Sequence, residues 1–185
     1  MSIRFTEWAA ARLAETGTRF AFGVPGGGPS LDWLDAFRRH GIQSVLSARE
    51  DAGVIMAGVA GAITGAPGVA FTTKGPGLAS AANGVASASL DRLPALLLSE
   101  GFDKDELRFL THQVFDQSEL ITPFLINPAA SCMEPTPQAL DAWLTQQPFP
   151  PRGPGVMFTA APELELQVDE DVRRPTASNR SIDGD

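Results

Sequence analysis

Glu50 is the residue in this chain best placed to do chemistry. It is followed by Asp51 and then by a run dominated by small side chains, among them Ala52, Gly53, Ala57, Gly58, Ala60, Gly61 and Ala62. A carboxylate at the start of a helix gains ~0.3–1 kcal/mol from the helix dipole, and that alone is a sufficient reason for a glutamate there. The helix after it adds a second possibility, because such small residues let another backbone or a planar ligand approach closely. A tightly packed core helix would use the same residues. Two glycine loops accompany Glu50, residues 23–29 (GVPGGGP) and residues 74–77 (KGPG). Loops of this kind can turn backbone N–H groups toward a phosphate. Neither fits GxGxxG with a later acidic residue or GxxxxGK[ST], so as isolated motifs they read as tight turns. His112 and Gln113 form a polar pair in a loop that either touches a ligand or is simply solvated.

Several chemistries are excluded by the same inventory. Only His40 and His112 are present, and His40 beside Gly41 reads as a surface or helix-capping residue. A histidine metal site is therefore unsupported, and no GxSxG nucleophile turn occurs. The single cysteine, Cys132, permits neither an internal disulfide nor a paired-cysteine metal site.

The elements that must position these residues follow from the hydrophobic pattern. Helices are expected over residues 6–16, from Ser30 as a cap to about Gly41, over 51–64, from the KGPG loop to about Ser89, and over 136–146. Strands are expected over 19–24, 42–48, 69–73, 94–99 and 155–159, with a further one inside 124–133. Residues 102–115 read as a charged loop or short helix, and 116–121 as one or two helical turns. Strands alternating with helices predict a three-layer α/β/α, doubly wound domain around a mainly parallel sheet of about six strands. Ligands of such sheets bind beyond the carboxyl ends of the strands. The PGGG loop, the segment Arg49, Glu50 and Asp51, and the KGPG loop all fall there.

The 185 residues suit one domain, expected over residues 1–167, with a polar and mobile tail over 168–185. Hydrophobic residues at 43% and charged ones at 19% give an ordinary globular balance. A net charge of −8 without a basic cluster argues against nucleic acid as the partner. Charges inside the first apolar stretch argue against a signal peptide, and no apolar run nears the ~20 residues of a membrane span. A reducing cytoplasm is the expected compartment.

Read together, FGVPGGG, then REDAGVIMAGVAGAITGAPGVAFTT, then KGPGLASAANGVASASLDRLPALLLSEG resemble the N-terminal, pyrimidine-binding domain of thiamine-diphosphate enzymes of the 2-oxo acid decarboxylase and acetohydroxyacid synthase type. The order and spacing of Glu50, Gly58, Gly68, Thr73, Gly75, Pro76, Gly77, Gly84 and Pro94 carry the likeness. HQVFDQSELITPF and RGPGVMFTAAPEL extend it to about Val172. The resemblance implies that Glu50 hydrogen-bonds N1′ of the cofactor's aminopyrimidine and favours its imino tautomer. The 4′-imino nitrogen then takes the thiazolium C2 proton, and the cofactor serves as electron sink when a 2-oxo acid loses carbon dioxide. By the same resemblance Pro25 and Gly26 belong to the first active-site loop. Thr73, Gly75, Pro76 and Gly77 lie beside the pyrimidine, Gln113 faces the reacting centre, and His112 is its neighbour.

There are departures. Arg49 stands where histidine is frequent, adding a fixed positive charge suited to an acidic substrate or an interface. Ser80 stands where the GPGxxN pattern has asparagine, and no second histidine adjoins His112. The family's diphosphate and Mg2+ are held by a separate domain with a GDG motif and downstream asparagines. The only similar string here, Asp183-Gly184-Asp185, has nothing after it, so no metal ligand is assigned to this chain. The resemblance thus implies a partner chain bringing that domain, in a homodimer or heterotetramer with a 2-oxo acid substrate, as in two-subunit sulfopyruvate decarboxylase. An isolated N-terminal domain of a full-length enzyme and a non-catalytic assembly or regulatory relative are the alternatives.

Overall fold

In a computed structural model the described residues are 2–102, 112–147, 152–160 and 167–169. The chain begins with strand β1 (Ser2–Arg4) and helix α1 (Phe5–Glu15), then β2 (Phe20–Val24), α2 (Pro29–Arg39), β3 (Gln43–Leu46) and α3 (Glu50–Thr64). It continues through β4 (Gly68–Thr72), α4 (Pro76–Leu90) and β5 (Ala95–Glu100). After residues 103–111 come α5 (Gln117–Ile121), a 3-10 turn (Thr122–Phe124), α6 (Pro128–Ser131), β6 (Cys132–Met133), α7 (Pro137–Gln146), β7 (Gly155–Thr159) and β8 (Gln167–Asp169).

Six strands form one parallel sheet in the order β3-β2-β4-β5-β7-β6. From β2 the chain steps outward to the edge strand β3 and then returns to β4 on the other side of β2. That reversal opens a crevice at the carboxyl ends of β2 and β4, the usual binding place of open α/β sheets. The register fixes which residues meet there: Gly23 is opposite both Leu46 and Phe71, and Val24 is opposite Thr72. The loops after β2, β3 and β4 therefore leave the sheet side by side.

The central strands β4 and β5 are buried along their whole length, and their side chains alternate between two apolar layers. Val69, Phe71, Leu96 and Leu98 point to the layer of α1, α2 and α7, where Phe5, Trp8, Trp33, Phe37 and Trp143 are all at most 1% exposed. Ala70, Ala95 and Leu97 point to the other layer, where Val54 and Ala57 of α3 meet Leu78, Ala81, Val85 and Ala88 of α4. The small side chains bring α3 and α4 close: a Cβ added at Gly84 would lie 2.6 Å from the Asp51 carbonyl oxygen.

The expected α/β/α architecture and six-stranded sheet are present. Differences are local. Ser30 is the second residue of α2 rather than its cap, because Pro29, whose missing N–H and fixed φ suit a first helical position, starts the helix after Gly28. Within 124–133 the strand is only Cys132–Met133, since helical turns occupy half of the segment. The antiparallel pair β1 and β8 lies outside the main sheet and was not anticipated. It carries regular structure to Asp169, two residues past the expected domain end. The rest of the expected tail and most of residues 102–115 fall outside the described residues.

Candidate functional site

Glu50 is the first residue of α3, three residues beyond Ser47, whose N–H is tied to the Gly23 carbonyl at 3.0 Å. This bond holds the Glu50 segment against the end of β2. The Glu50 side chain is half-buried and has no hydrogen-bond or ion-pair partner among the described residues. Its neighbours are committed elsewhere. Arg49 grips Asp51 with two bonds, Nε to Oδ1 at 3.1 Å and Nη2 to Oδ2 at 3.0 Å. Asp51 also accepts from the Ala52 N–H and, at 3.4 Å, from Asn83 Nδ2 of α4. Burial pushes the Asp51 carboxyl up, but these donors and the Arg49 charge together hold it below the usual carboxylate range. The cation beside Glu50 thus serves Asp51 and the α3–α4 contact.

One amide of each glycine loop is used internally. The Gly26 N–H donates to Ser30 Oγ at 2.8 Å, and the Gly75 N–H donates to Gln117 Oε1 at 2.5 Å. Gly75 has φ +61°, and a Cβ there would lie 2.4 Å from the Gln113 carbonyl oxygen, so only glycine fits this turn. These two bonds fix the loops as walls of the crevice. Pro25 and Gly26 are half-buried, as is Thr73, whose hydroxyl donates to Glu100 Oε2 at 3.0 Å. Pro76 and Gly77 open α4; Gly77 is buried, and Pro76 and Ser80 are exposed.

Gln113 is half-buried in a left-handed conformation, φ +64°, with its backbone against Gly75; His112 is exposed. The structure thus sets the Gln113 backbone beside the third loop, while His112 meets solvent. A second glutamine, Gln117, is the buried one: besides taking the Gly75 N–H it donates through Nε2 to the Glu100 carbonyl at 3.1 Å. Sequence reasoning passed over Gln117 and Glu100. Their only local signal was a glutamate closing an apolar strand, PALLLSE, where a charged residue is out of place unless it meets donors.

Among the described residues no group of three or more His, Cys, Asp or Glu could hold a metal ion. No described helix is long and apolar enough to cross a membrane. A cavity of about 270 Å³ bounded by Thr16, Gly61, Ala66, Pro94 and Leu144 lies at the amino ends of the strands, away from Glu50 and both glycine loops.

Comparison with known proteins agrees with this geometry. Residues 3–120 match the model of the thiamine pyrophosphate enzyme N-terminal TPP binding domain, a stretch holding Glu50, both loops and Gln113. Acetolactate synthase of Bacillus subtilis is 31% identical over 112 residues, which is 60% of this chain and 19% of that protein. Acetolactate synthase isozyme 3 large subunit of Escherichia coli is 39% identical over 94 residues, 50% of this chain and 16% of that protein. The 2-hydroxyacyl-CoA lyase of Saccharomyces cerevisiae is 29% identical over 125 residues, 68% of this chain and 22% of its own length. The chain thus spans about a fifth of the curated relatives it matches.

Proposed function

Because the chain belongs to the thiamine pyrophosphate enzymes, as their N-terminal TPP-binding domain related to acetolactate synthase, we propose that it is the pyrimidine-binding subunit of a two-chain 2-oxo acid decarboxylase or carboligase. The observation that carries this reading is Glu50: a half-buried carboxylate without a partner among the described residues, at the rim of the crevice between β2 and β4. A carboxylate so placed is fitted to hold a proton at a ring nitrogen, and Gly26, Thr73, Gly75 and Gly77 border the same crevice as its walls. When bound, the cofactor supplies the electron sink for cleavage of the bond next to the substrate carbonyl. The chain's own part is to bind the aminopyrimidine edge, to keep Glu50 directed at N1′, and to exclude water around it. Gln113, with His112 beside it, is assigned to the substrate side.

The diphosphate and Mg2+ sites are assigned to the partner chain on the family resemblance, which puts them in a separate domain with a GDG motif. The exposed apolar residues Val59 and Ile63 of α3 and Leu90 of α4 support an assembly through these helices. A second reading draws on the relatives being about five times longer than the matched region: an N-terminal domain continued in the same reading frame.

The test is to mix the chain with one carrying a diphosphate-binding domain, thiamine diphosphate, Mg2+ and a panel of 2-oxo acids. Carbon dioxide release should need both chains, and Glu50→Gln should lower it by roughly 10²- to 10⁴-fold. Full activity from Glu50→Gln would dispose of the assignment.

A further inference from the structure

At the tip of β5, Glu100 is 3% exposed, and among the described residues every donor to its carboxylate is a neutral group. Ser30 Oγ donates to Oε1 at 2.6 Å and the Ser30 N–H to the same oxygen at 3.2 Å. Thr73 Oγ1 donates to Oε2 at 3.0 Å. The partners lie 70 and 27 residues away in sequence, on the loops after β2 and β4. One carboxylate therefore spans the two loops that flank the crevice.

Three further features tighten this arrangement. Ser30 Oγ, while donating to Glu100, accepts from the Gly26 N–H, so the conformation of the first loop depends on the carboxylate through the serine. Gly28, the cap residue of α2, makes no side-chain cap bond, and Glu100 instead takes an N–H of the first turn from across the sheet. The space is closed as well: a Cβ at Gly26 would sit 2.5 Å from Thr73 Oγ1 and 2.7 Å from Glu100 Oε1. From behind, Gln117 binds both the Glu100 carbonyl and the Gly75 N–H. Burying a carboxylate is costly unless donors surround it, and nothing in a β-sheet core calls for one here.

We propose that Glu100 is the positioning residue of the cofactor face: acting through Ser30 and Thr73, it sets the separation between the Gly26 loop and the Thr73–Gly77 loop. It is not a catalytic residue, since it is sealed beneath both loops. The link to the cofactor rests on the function proposed above; the setting of the loops does not.

Hydrogen exchange on the full chain tests the brace without any cofactor. In Glu100→Ala the amides from Gly26 to Leu31 should exchange about tenfold faster or more, while those at the centres of β4 and β5 keep their protection. Glu100→Gln should stay within about threefold of the wild type, because its carbonyl accepts from Ser30 and its amide donates to a rotated Thr73 hydroxyl. Unchanged exchange across the first loop in folded Glu100→Ala overturns the proposal. If Glu100→Ala does not fold, Ser30→Ala decides, because it cuts the hydroxyl link between the carboxylate and the first loop: exchange should quicken beyond the Gly26 amide, through to Leu31, and unaltered exchange beyond Gly26 overturns the brace. In the assembled two-chain enzyme, thiamine diphosphate affinity should fall at least tenfold in Glu100→Ala and recover in Glu100→Gln. Loosened loops with unchanged affinity would overturn the positioning role. A wild-type assembly that ignores thiamine diphosphate would refute the proposed function instead, leaving exchange to judge the brace.

Discussion

The two helical layers of this domain are built on opposite principles. The layer of α1, α2 and α7 holds all three tryptophans with Phe5 and Phe37, a core of large rings in contact: Trp33 meets Phe37 at 5.7 Å and Phe5 edge-on at 6.0 Å between centroids. The layer of α3 and α4 is alanine, glycine and serine with a few valines and leucines. Large rings bury much area for each residue, so the first layer completes its own core. Small residues gain stability by close backbone approach and leave little bulk to cover the outer face. That face retains Ile63 at 79% and Leu90 at 83% exposure. One layer is the domain's anchor; the other leaves apolar side chains exposed, the face proposed above for assembly, and Glu50 opens that second layer.

The comparison can be broken first where it is strongest. Trp33→Ala removes a fully buried ring and its bond to Thr159 Oγ1, and should cost about 3–5 kcal/mol in urea unfolding. A loss below about 1 kcal/mol would mean that the aromatic layer is not the anchor. The small-residue layer should fail by the opposite route. Ala81→Leu overfills the α3–α4 contact and is expected to cost about 1–3 kcal/mol, although it adds apolar bulk. A stabilised Ala81→Leu would show that the helices are loosely packed.

Outside that contact the prediction changes in kind. Ile63→Glu with Leu90→Glu should alter unfolding stability by less than about 0.5 kcal/mol for each site. The same pair should abolish concentration-dependent self-association in light scattering. A wild type that is monomeric at high concentration would remove the unfinished face.

The smallest effect concerns pH. The Asp51 pKa is lowered in the folded state, so its contribution is present above the unfolded value of about 3.9 and lost as pH falls through the folded one. Asp51→Asn should therefore lower stability modestly at neutral pH and flatten the acid side of the profile, the two proteins converging as pH falls below about 4. An acid limb as steep as in the wild type would assign it to other carboxylates.

The alternation of layers was legible in the sequence because its causes are local. PALLLSE and GVAFT are apolar runs bounded by turn residues, and Gly65 ends α3 in the left-handed conformation that glycine favours. The neighbourhood of Glu50 and both glycine loops was legible too, since parallel strands linked by helices bring their carboxyl ends to one edge. Pairings between distant short segments were not. β1 and β8 are three residues each, their partners 163 to 167 positions apart, with no periodicity to announce them, and β6 has two residues. The role of Glu100 was hidden for a similar reason: PALLLSE shows a glutamate out of place, but its donors come from other loops. Among the glutamines, the one deepest in the network is Gln117 rather than Gln113, a distinction made by the turn at Gln113, where φ is +64°.

The central claim is contact between Glu50 and a ring nitrogen. Thiamine diphosphate labelled with 15N at N1′ reports that contact directly by NMR in the proposed two-chain assembly. The account predicts an N1′ resonance displaced on binding to the wild type and returned toward its free position in Glu50→Gln. An N1′ resonance identical in both proteins would contradict it.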